Sequence, residues 1–599
     1  MPGPLLLLLA ILLSFVIVFF VLPFLRFLIR QRTSPLRHLP GPPCTSLLIG
    51  NLGEMHDQEN NNLIHTWEAS YGPTFVYRGF LAAPRLMTMD PLALAHILGH
   101  AYEYPKPEFV RDSLAGMAAG HDGLLTVEGD QHRRQRRILG PAFSKLHLAS
   151  LTPVFWDKAT QLRDIWLEQA DAQKIAPSRV DVLSWLGRAT LDVIGEAGFG
   201  YRFDALSSTS AHNELATAFG IIFSTARKLR MITILQAWFP ILRRFRRNGA
   251  TMVQAHATMD RIGMQLIDQK RSEILAEAAQ KGVDTSRAGR DLLSLLIRSN
   301  LSTPVPVPSS PSNRAALSSL TPHNAQHPGP ARPRIQMSTR EVLCQISTFI
   351  AAGHETTASA LTWCLYALAR APHVQTKLRA ALHAIPVPPR VRTKPSQAQA
   401  GDSEGHSEGD QNQEEDLATG VQACTYLDWV VRETLRLHSP VTSTMRVCAR
   451  PGGDEIPVSV PVAVRRSGFA LGAGHDAAAE DENAYGAPEE SRWSVRVAEG
   501  DILTIPIQAV NRCVRLWGED AGDFRPERWA DPPPEARSIP GLLSGTLTFL
   551  NGNGSVAEGN RACIGWRFAL IEIKIFLYTL VKDLEFWIDD DMVIEKRIK

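Results

Sequence analysis

Gly559-Asn560-Arg561-Ala562-Cys563-Ile564-Gly565, near the C-terminus, sets one cysteine among small and basic residues. Glycines on both sides let the backbone approach a flat macrocycle and turn its amides toward the sulfur. The pattern reads as a thiolate socket for haem iron. An axial thiolate pushes electron density onto iron and favours O–O cleavage, so a cysteine used this way points to oxygen activation. Arg561 would meet a haem propionate. Alone, the same residues also suit an ordinary buried cysteine beside a surface arginine, and the rest of the chain has to decide.

The chain has 599 residues, 44% of them hydrophobic, and a formal charge of +2, which is globular in composition and names no partner by charge. No basic stripe with interleaved aromatics is present, so nucleic acid is not an expected partner. Seven cysteines (Cys44, Cys344, Cys364, Cys424, Cys448, Cys513 and Cys563) are scattered without paired short spacings. That argues against a zinc site and a disulfide framework, and for a reducing compartment.

Leu5 to Leu25 carries no charge and matches the hydrocarbon thickness of a bilayer at helical rise. It reads as a transmembrane anchor occupying residues 1–30. A cleaved signal peptide fits less well, because the run is long, no basic residue precedes it and no small-residue cleavage site follows. Arg26, Arg30, Arg32 and Arg37 follow the run, so the positive-inside rule places the remainder in the cytosol. Leu39-Pro40-Gly41-Pro42-Pro43 then forms a stiff hinge that cannot continue a helix.

Helical periodicity dominates from about Lys145 to Ile297. Strand-like runs are few: Thr74 to Tyr77, Arg85 to Thr88, Ile502 to Ile507 and Gly545 to Leu550. The expected fold class is mainly α with a minor β-sheet. Three stretches, Ser302 to Pro333, Pro386 to Gly420 and Gly468 to Glu490, have loop or linker composition and lengthen the body without adding core.

Ser338-Thr-Arg-Glu341 is a capping box that opens one long helix running to Arg370, just before Pro372. Inside it, Ala351-Ala352-Gly353-His354-Glu355-Thr356-Thr357 interrupts an otherwise apolar face. Small residues let a flat ligand press on the helix, and threonine hydroxyls can bond back to their own turn, opening a groove for water or dioxygen. A glycine kink beside a solvated Glu355 is the plainer alternative. A second helix, about Tyr426 to Leu437, holds Glu433 and Arg436 on one face.

The order of these segments resembles the cytochrome P450 haem-thiolate monooxygenases: Ala352-Gly353-His354-Glu355-Thr356-Thr357, Glu433-x-x-Arg436, Pro526-Glu527-Arg528 and Arg561-x-Cys563-x-Gly565. The anchor and proline hinge resemble the membrane-bound eukaryotic, fungal-like class. The resemblance covers nearly everything after the hinge and implies one catalytic domain over 31–599, with loop insertions near 302–333, 386–420, 468–490 and 553–559. Glu128 to Phe143 looks like the family's haem-contacting helix, with His132 where tryptophan is common.

By that resemblance Cys563 is the metal ligand of haem b. His132, Arg136, Arg446 and Arg561 meet its propionates, and Ala352, Gly353 and Gly565 lie against it. Thr356 orients dioxygen and water, Glu355 relays protons, and a hydrophobic substrate is hydroxylated or epoxidised. Glu433, Arg436 and Arg528 form a buried structural latch. Gly552 to Ala557 fits G-x-G-x-x-A, but the cysteine loop occupies the space where a dinucleotide fold needs its helix and second strand. Electrons would therefore come from a separate NADPH-cytochrome reductase, with cytochrome b5 as a second donor, at the endoplasmic reticulum membrane. Membrane lipid would deliver the substrate. Two other functions stay open: a haem-binding relative impaired in turnover, and a haem-thiolate isomerase or dehydratase. The impaired reading arises because the family's aromatic residue stands seven positions before the cysteine, where this chain has Val556, and the matching residue is Phe549, fourteen positions before it. The family's terminal hairpin, which lines the pocket, would fall beyond Lys599.

Overall fold

The computed structural model describes residues 7, 11, 13–15, 17–57, 60–118, 120–173, 179–207, 213–226, 250–279, 291–301, 336–386, 408–464, 490–543, 545–551 and 561–589. Most of these residues are helical, and the sheets are small. The expected insertions at 302–333 and 553–559, and most of 468–490, lie outside the described residues.

Within the apolar N-terminal run, the helix Leu13–Thr33 is long and apolar enough to cross a bilayer. Its last part, α1 (Leu22–Thr33), carries Arg26, Arg30 and Arg32. The helix thus runs past the expected end at residue 30 and stops where Pro35 forbids continuation. No slack follows it. Ser34 is 1% exposed and Leu36 0%. The Ser34 hydroxyl donates to Asp501 Oδ2 at 2.9 Å, and Asp501 also accepts from the Ala498 amide at 2.8 Å. The proline hinge lies along a strand edge, with the Val76 amide donating to Pro40 O at 2.9 Å. A Cβ on Gly41 would sit 1.7 Å from Val76 O, so only glycine fits there.

The helical layer comprises α2 (Gly129–Leu139), α3 (Lys145–Gln173), α4 (Val182–Phe199), α5 (Glu214–Ala226), α6 (Ala250–Ala279), α7 (Leu292–Leu301), α8 (Thr339–Arg370), α9 (Pro372–His383), α10 (Glu408–Ala423), α11 (Thr425–Leu437) and α12 (Trp566–Asp583). One continuous apolar core runs through it from Leu124 to Val581. Helix α8 is the long central helix the capping box announces: Glu341 N–H donates to Ser338 Oγ at 3.2 Å, and Ser338 N–H to Glu341 Oε2 at 2.8 Å. Helix α10 replaces the loop expected over Pro386 to Gly420 at residues 408–420, while 387–407 lie outside the described residues. Its polar composition hides an apolar edge, on which Ala418 and Val421 are buried.

A second core underlies the sheets. Strands β1 (Thr74–Arg78), β2 (Pro84–Thr88), β3 (Thr444–Val447) and β6 (Ile502–Ile505) form one sheet in the order β1-β2-β6-β3, while β4 (Asp454–Val464) and β5 (Glu490–Val497) pair separately. β2 runs antiparallel to β1 (Thr74 opposite Thr88) and parallel to β6 (Arg85 opposite Ile502). Two expectations change here. Strand β3 adds to the minor sheet, β4 and β5 form a second one, and Gly545 to Leu550 is not a strand. Its amides close turns instead, Thr546 to Leu543 O at 3.0 Å and Leu550 to Leu547 O at 2.8 Å. Positive φ at Gly545 and Leu550 bends the chain away from extension.

Candidate active site

Cys563 lies three residues before the start of α12. The Gly565 amide bonds its sulfur, and Gly565 O begins the helical ladder by accepting from Ala569 N at 2.9 Å. A helix N-terminus behind a sulfur favours the thiolate. The thiol's pKa is nonetheless raised: burial pushes it up more than the Gly565 amide and the Arg136 charge pull it down. Cys563 is surface-accessible although it sits deep in the protein, as befits a residue lining an internal recess. Its amide donates to Phe549 O at 2.9 Å, and Arg136 Nη1 holds Ala562 O at 2.6 Å.

The latch expected of Glu433, Arg436 and Arg528 is formed. Glu433 and Arg436 are fully buried, and Arg528 is nearly so. Arg436 grips Glu433 in a fork, Nε to Oε2 at 2.9 Å and Nη2 to Oε1 at 2.8 Å, while Arg528 Nε reaches Oε1 at 2.8 Å. The carboxylate also accepts from Trp529 Nε1 at 3.0 Å and from the Arg525 amide at 3.0 Å. Burial lowers the Arg528 pKa, but Glu433 and Asp520 outweigh it and the net shift is upward. The latch reaches the cysteine through Asn511. Arg436 Nη1 donates to Asn511 O at 3.0 Å, Asn511 Oδ1 accepts from the Leu547 amide at 2.8 Å, and its Nδ2 donates to Thr548 Oγ1 at 3.0 Å. Phe549, next in the chain, carries the carbonyl bonded to Cys563.

On one side of the cysteine loop stand several buried cations. Arg446 is 2% exposed and donates to Thr444 Oγ1 at 2.7 Å and Met445 O at 2.8 Å, and no carboxylate pairs with it among the described residues. Burial pushes its pKa down to about 10. Arg561 is likewise lowered to about 10 by burial; it pairs with Glu128 and donates to Val127 O at 3.0 Å. Lys106 lies well below the ordinary lysine range through burial and the nearby charges of Arg561, Arg446 and Arg111. Arg111 Nε is buried without a hydrogen-bond partner. His132 is 3% exposed and pushed to about 3, chiefly by burial and then by Lys106 and Arg136, so it is neutral; Tyr102 Oη lies 3.1 Å from its Nδ1. Such a crowd of desolvated cations is costly unless an anion joins it. A macrocycle bearing carboxylates, with a thiolate beneath its metal, fits this donor set. Cys563 would hold the iron, and Arg446, Arg561 and His132, with Lys106, would hold the carboxylates. Lys106 and Arg111 escaped sequence reasoning, because nothing local to Pro105-Lys106-Pro107 signals that their charges converge with Arg446.

Helix α8 packs against α12 and, through Phe143, against the cysteine loop. Ala352 is exposed although the helix is otherwise largely buried, and Thr356, one turn on, donates to Ala352 O at 2.6 Å. Glu355 is half-buried. Gly353 serves another purpose. A Cβ there would lie 3.1 Å from the Ile194 side chain of α4, so the glycine admits a close helix crossing rather than facing the Ala352 side. Phe143 joins the two walls, packing edge-on to Phe349 of α8 with centroids 5.7 Å apart and lying 3.7 Å from where a Gly565 Cβ would stand.

The family model for cytochrome P450 matches residues 40–452 and 495–598 of this chain. Cytochrome P450 monooxygenase 128 of Postia placenta is 38% identical over 570 residues, 94% of this chain and 88% of the relative. Cytochrome P450 monooxygenase 205 of the same fungus is 39% identical over 560 residues, 93% of this chain and 87% of the relative. The ganoderic acid synthetase of Ganoderma lucidum is 30% identical over 592 residues, 95% and 90% of the two chains. The stretch left outside the family model, 453–494, contains β4 and the start of β5.

Proposed function

This chain belongs to the cytochrome P450 family of haem-thiolate monooxygenases, and from that premise we propose that it is a membrane-anchored fungal enzyme that hydroxylates or epoxidises a hydrophobic small molecule of secondary metabolism. The observation that carries this reading is the cysteine loop, closed by the Cys563 amide on Phe549 O at 2.9 Å just before α12, with the Gly565 amide on the cysteine sulfur. Bound haem b supplies dioxygen activation and oxidising power. The chain's own groups do the rest. The Gly565 amide and the N-terminus of α12 hold the thiolate, and the Arg446, Arg561, Lys106 and His132 cluster binds the carboxylates of the cofactor. Thr356, whose hydroxyl is fixed on Ala352 O, positions dioxygen and water in the groove, and Glu355 moves protons toward it.

Leu13–Thr33 supports an anchor in the endoplasmic reticulum membrane, with the body cytosolic and the substrate arriving from lipid. Electrons come from an NADPH-cytochrome reductase or cytochrome b5. The similarity to a ganoderic acid synthetase favours a substrate of secondary metabolism. Glu355 and Thr356 speak against electron-independent isomerisation, which needs no proton delivery to oxygen. The test is the reduced, CO-bound spectrum of the full-length protein, followed by NADPH consumption with reductase and a panel of apolar substrates. A thiolate-type band with substrate-dependent product is expected; a histidine-type or free-haem band would sink the reading.

A further inference from the structure

Arg85 lies in β2 and is 6% exposed, yet no carboxylate pairs with it among the described residues. Its Nε is buried without a hydrogen-bond partner. A guanidinium carries its charge throughout the range in which proteins fold, so this is a desolvated cation with nothing opposite it. Two rings offset part of that cost: Arg85 Cζ stands 5.9 Å from the ring centroid of Phe80 and 5.8 Å from that of Phe109. The backbone is shaped around this group. A Cβ on Gly79 would overlap Arg85 Nε and lie 2.8 Å from its Cζ, so the missing side chain makes room for the guanidinium. The turn Phe80–Ala82 that carries the first ring holds two non-glycine residues, Leu81 and Ala82, at φ of 53° and 54°. Ordinary residues adopt that left-handed conformation only where something holds them. Here the Gly79 amide donates to Ala83 O at 2.8 Å, and the Leu81 amide to Leu48 O at 2.8 Å.

This bay is separate from the cation cluster at the cysteine loop. Arg85 stands opposite Ile502 and Arg446 opposite Leu503. Neighbouring residues of β6 face opposite sides of the sheet, so the two arginines do as well. The charges that act on Lys106 and Arg561 include Arg111, but Arg85 is not among them. Phe109 nevertheless ties the bay to the site. It belongs to the helix Glu108–Met117, which begins two residues after Lys106 and carries Arg111. Beyond that helix the Leu124 amide donates to Gln345 Oε1 of α8 at 3.1 Å, and Gly123 packs against Thr348. Phe109 thus stands at the head of the segment that runs from the cluster for the cofactor's carboxylates to the central helix. We propose that Arg85 binds a carboxylate of the substrate, so that the molecule oxidised is an apolar body bearing an acid group. The inference rests on the monooxygenase reading and deepens it. The guanidinium grips the acid through charge-assisted hydrogen bonds, while Phe80 and Phe109 keep water away and pack on the apolar carbons next to it.

The test uses full-length holoenzyme and two probes of one chain length, dodecanoate and dodecan-1-ol, with binding followed by calorimetry in the absence of reductase. Wild type should bind dodecanoate at least about tenfold more tightly than the alcohol. Arg85→Met, close in length and uncharged, should lose that preference while keeping its affinity for the alcohol and its reduced CO spectrum. Arg85→Lys, which preserves the charge but not the planar fork, should keep only part of the preference, and it serves where the methionine variant does not fold. Equal affinity for the two probes in wild type, binding of neither, or an undiminished preference in the variants would each overturn the proposal. A guanidinium that only packs between two rings gives no preference for the acid in any of the proteins. A histidine-type or free-haem CO band in wild type would instead strike at the monooxygenase reading and leave the calorimetric comparison of the probes standing.

Discussion

The Cys563 amide donates to the Phe549 carbonyl at 2.9 Å although the two stand fourteen positions apart in sequence. That bond ties the two described ends of the cysteine loop together. Deleting residues 553–559 should leave the reduced CO band in place, whereas Cys563→Ala should abolish it. A thiolate-type band in the alanine variant would remove Cys563 as the ligand.

Glu433 is held by two guanidiniums, an indole and an amide, all out of water. Glu433→Gln leaves Arg436 and Arg528 with too little negative charge between them. We expect a loss of about 3–5 kcal/mol in unfolding free energy, read by denaturant melts, together with poor haem incorporation through the Asn511 connection. A melt within experimental error of wild type would show that the latch is not needed for stability.

Arg446 is buried without a carboxylate, which suggests opposite effects in the two states of the protein. Arg446→Leu should stabilise the haem-free chain and weaken haem binding by about tenfold or more, the equivalent of one charge-assisted hydrogen bond. Thermal melts of apoprotein and transfer of haem to an acceptor protein measure the two separately. Parallel changes in both would count against the cation cluster as a carboxylate site.

His132 is pushed from 6.5 to about 3 by burial and by Lys106 and Arg136. The folded state therefore disfavours the charged ring. Its contribution to stability is complete above pH 6.5 and drains away as pH falls toward 3, because the unfolded chain takes up the proton first. His132→Gln should flatten the acid limb of the apoprotein's stability curve over that window. An unchanged limb would mean that other groups govern it.

Thr356 donates its hydroxyl to Ala352 O at 2.6 Å, on the exposed part of α8. Thr356→Ala should leave the fold and CO spectrum intact while diverting most NADPH to peroxide, measured as hydrogen peroxide per NADPH. Full coupling in this variant would remove Thr356 from oxygen handling.

Features set by neighbouring residues were legible in the sequence: the Ser338 and Glu341 capping box, the Glu433 and Arg436 pair three residues apart, and the glycine-flanked cysteine. Strands β4 and β5 were not. Pro457 and Pro461 interrupt the alternation in β4, and proline reads as a strand breaker unless an irregular register, here between Pro457 and Val462, absorbs it. Helix α10 was hidden by its acidic, glutamine-rich composition, since only its packing against the core reveals an apolar edge. Lys106 and Arg111 were invisible for a further reason. Their significance lies in desolvation and in partners brought together from distant parts of the chain, which no local pattern records.

The join at Ser34 makes the apolar helix and the body a single lever. With Ser34 tied to Asp501 and Leu36 sealed in the core directly after Thr33, turning the helix in a bilayer must turn the sheet it is fastened to. One residue added after Thr33 would rotate the helix by about 100° relative to the body. The fastening at Ser34 thus fixes the angle between the Leu13–Thr33 helix and the sheet, the quantity that would set the tilt of the body wherever that helix is inserted.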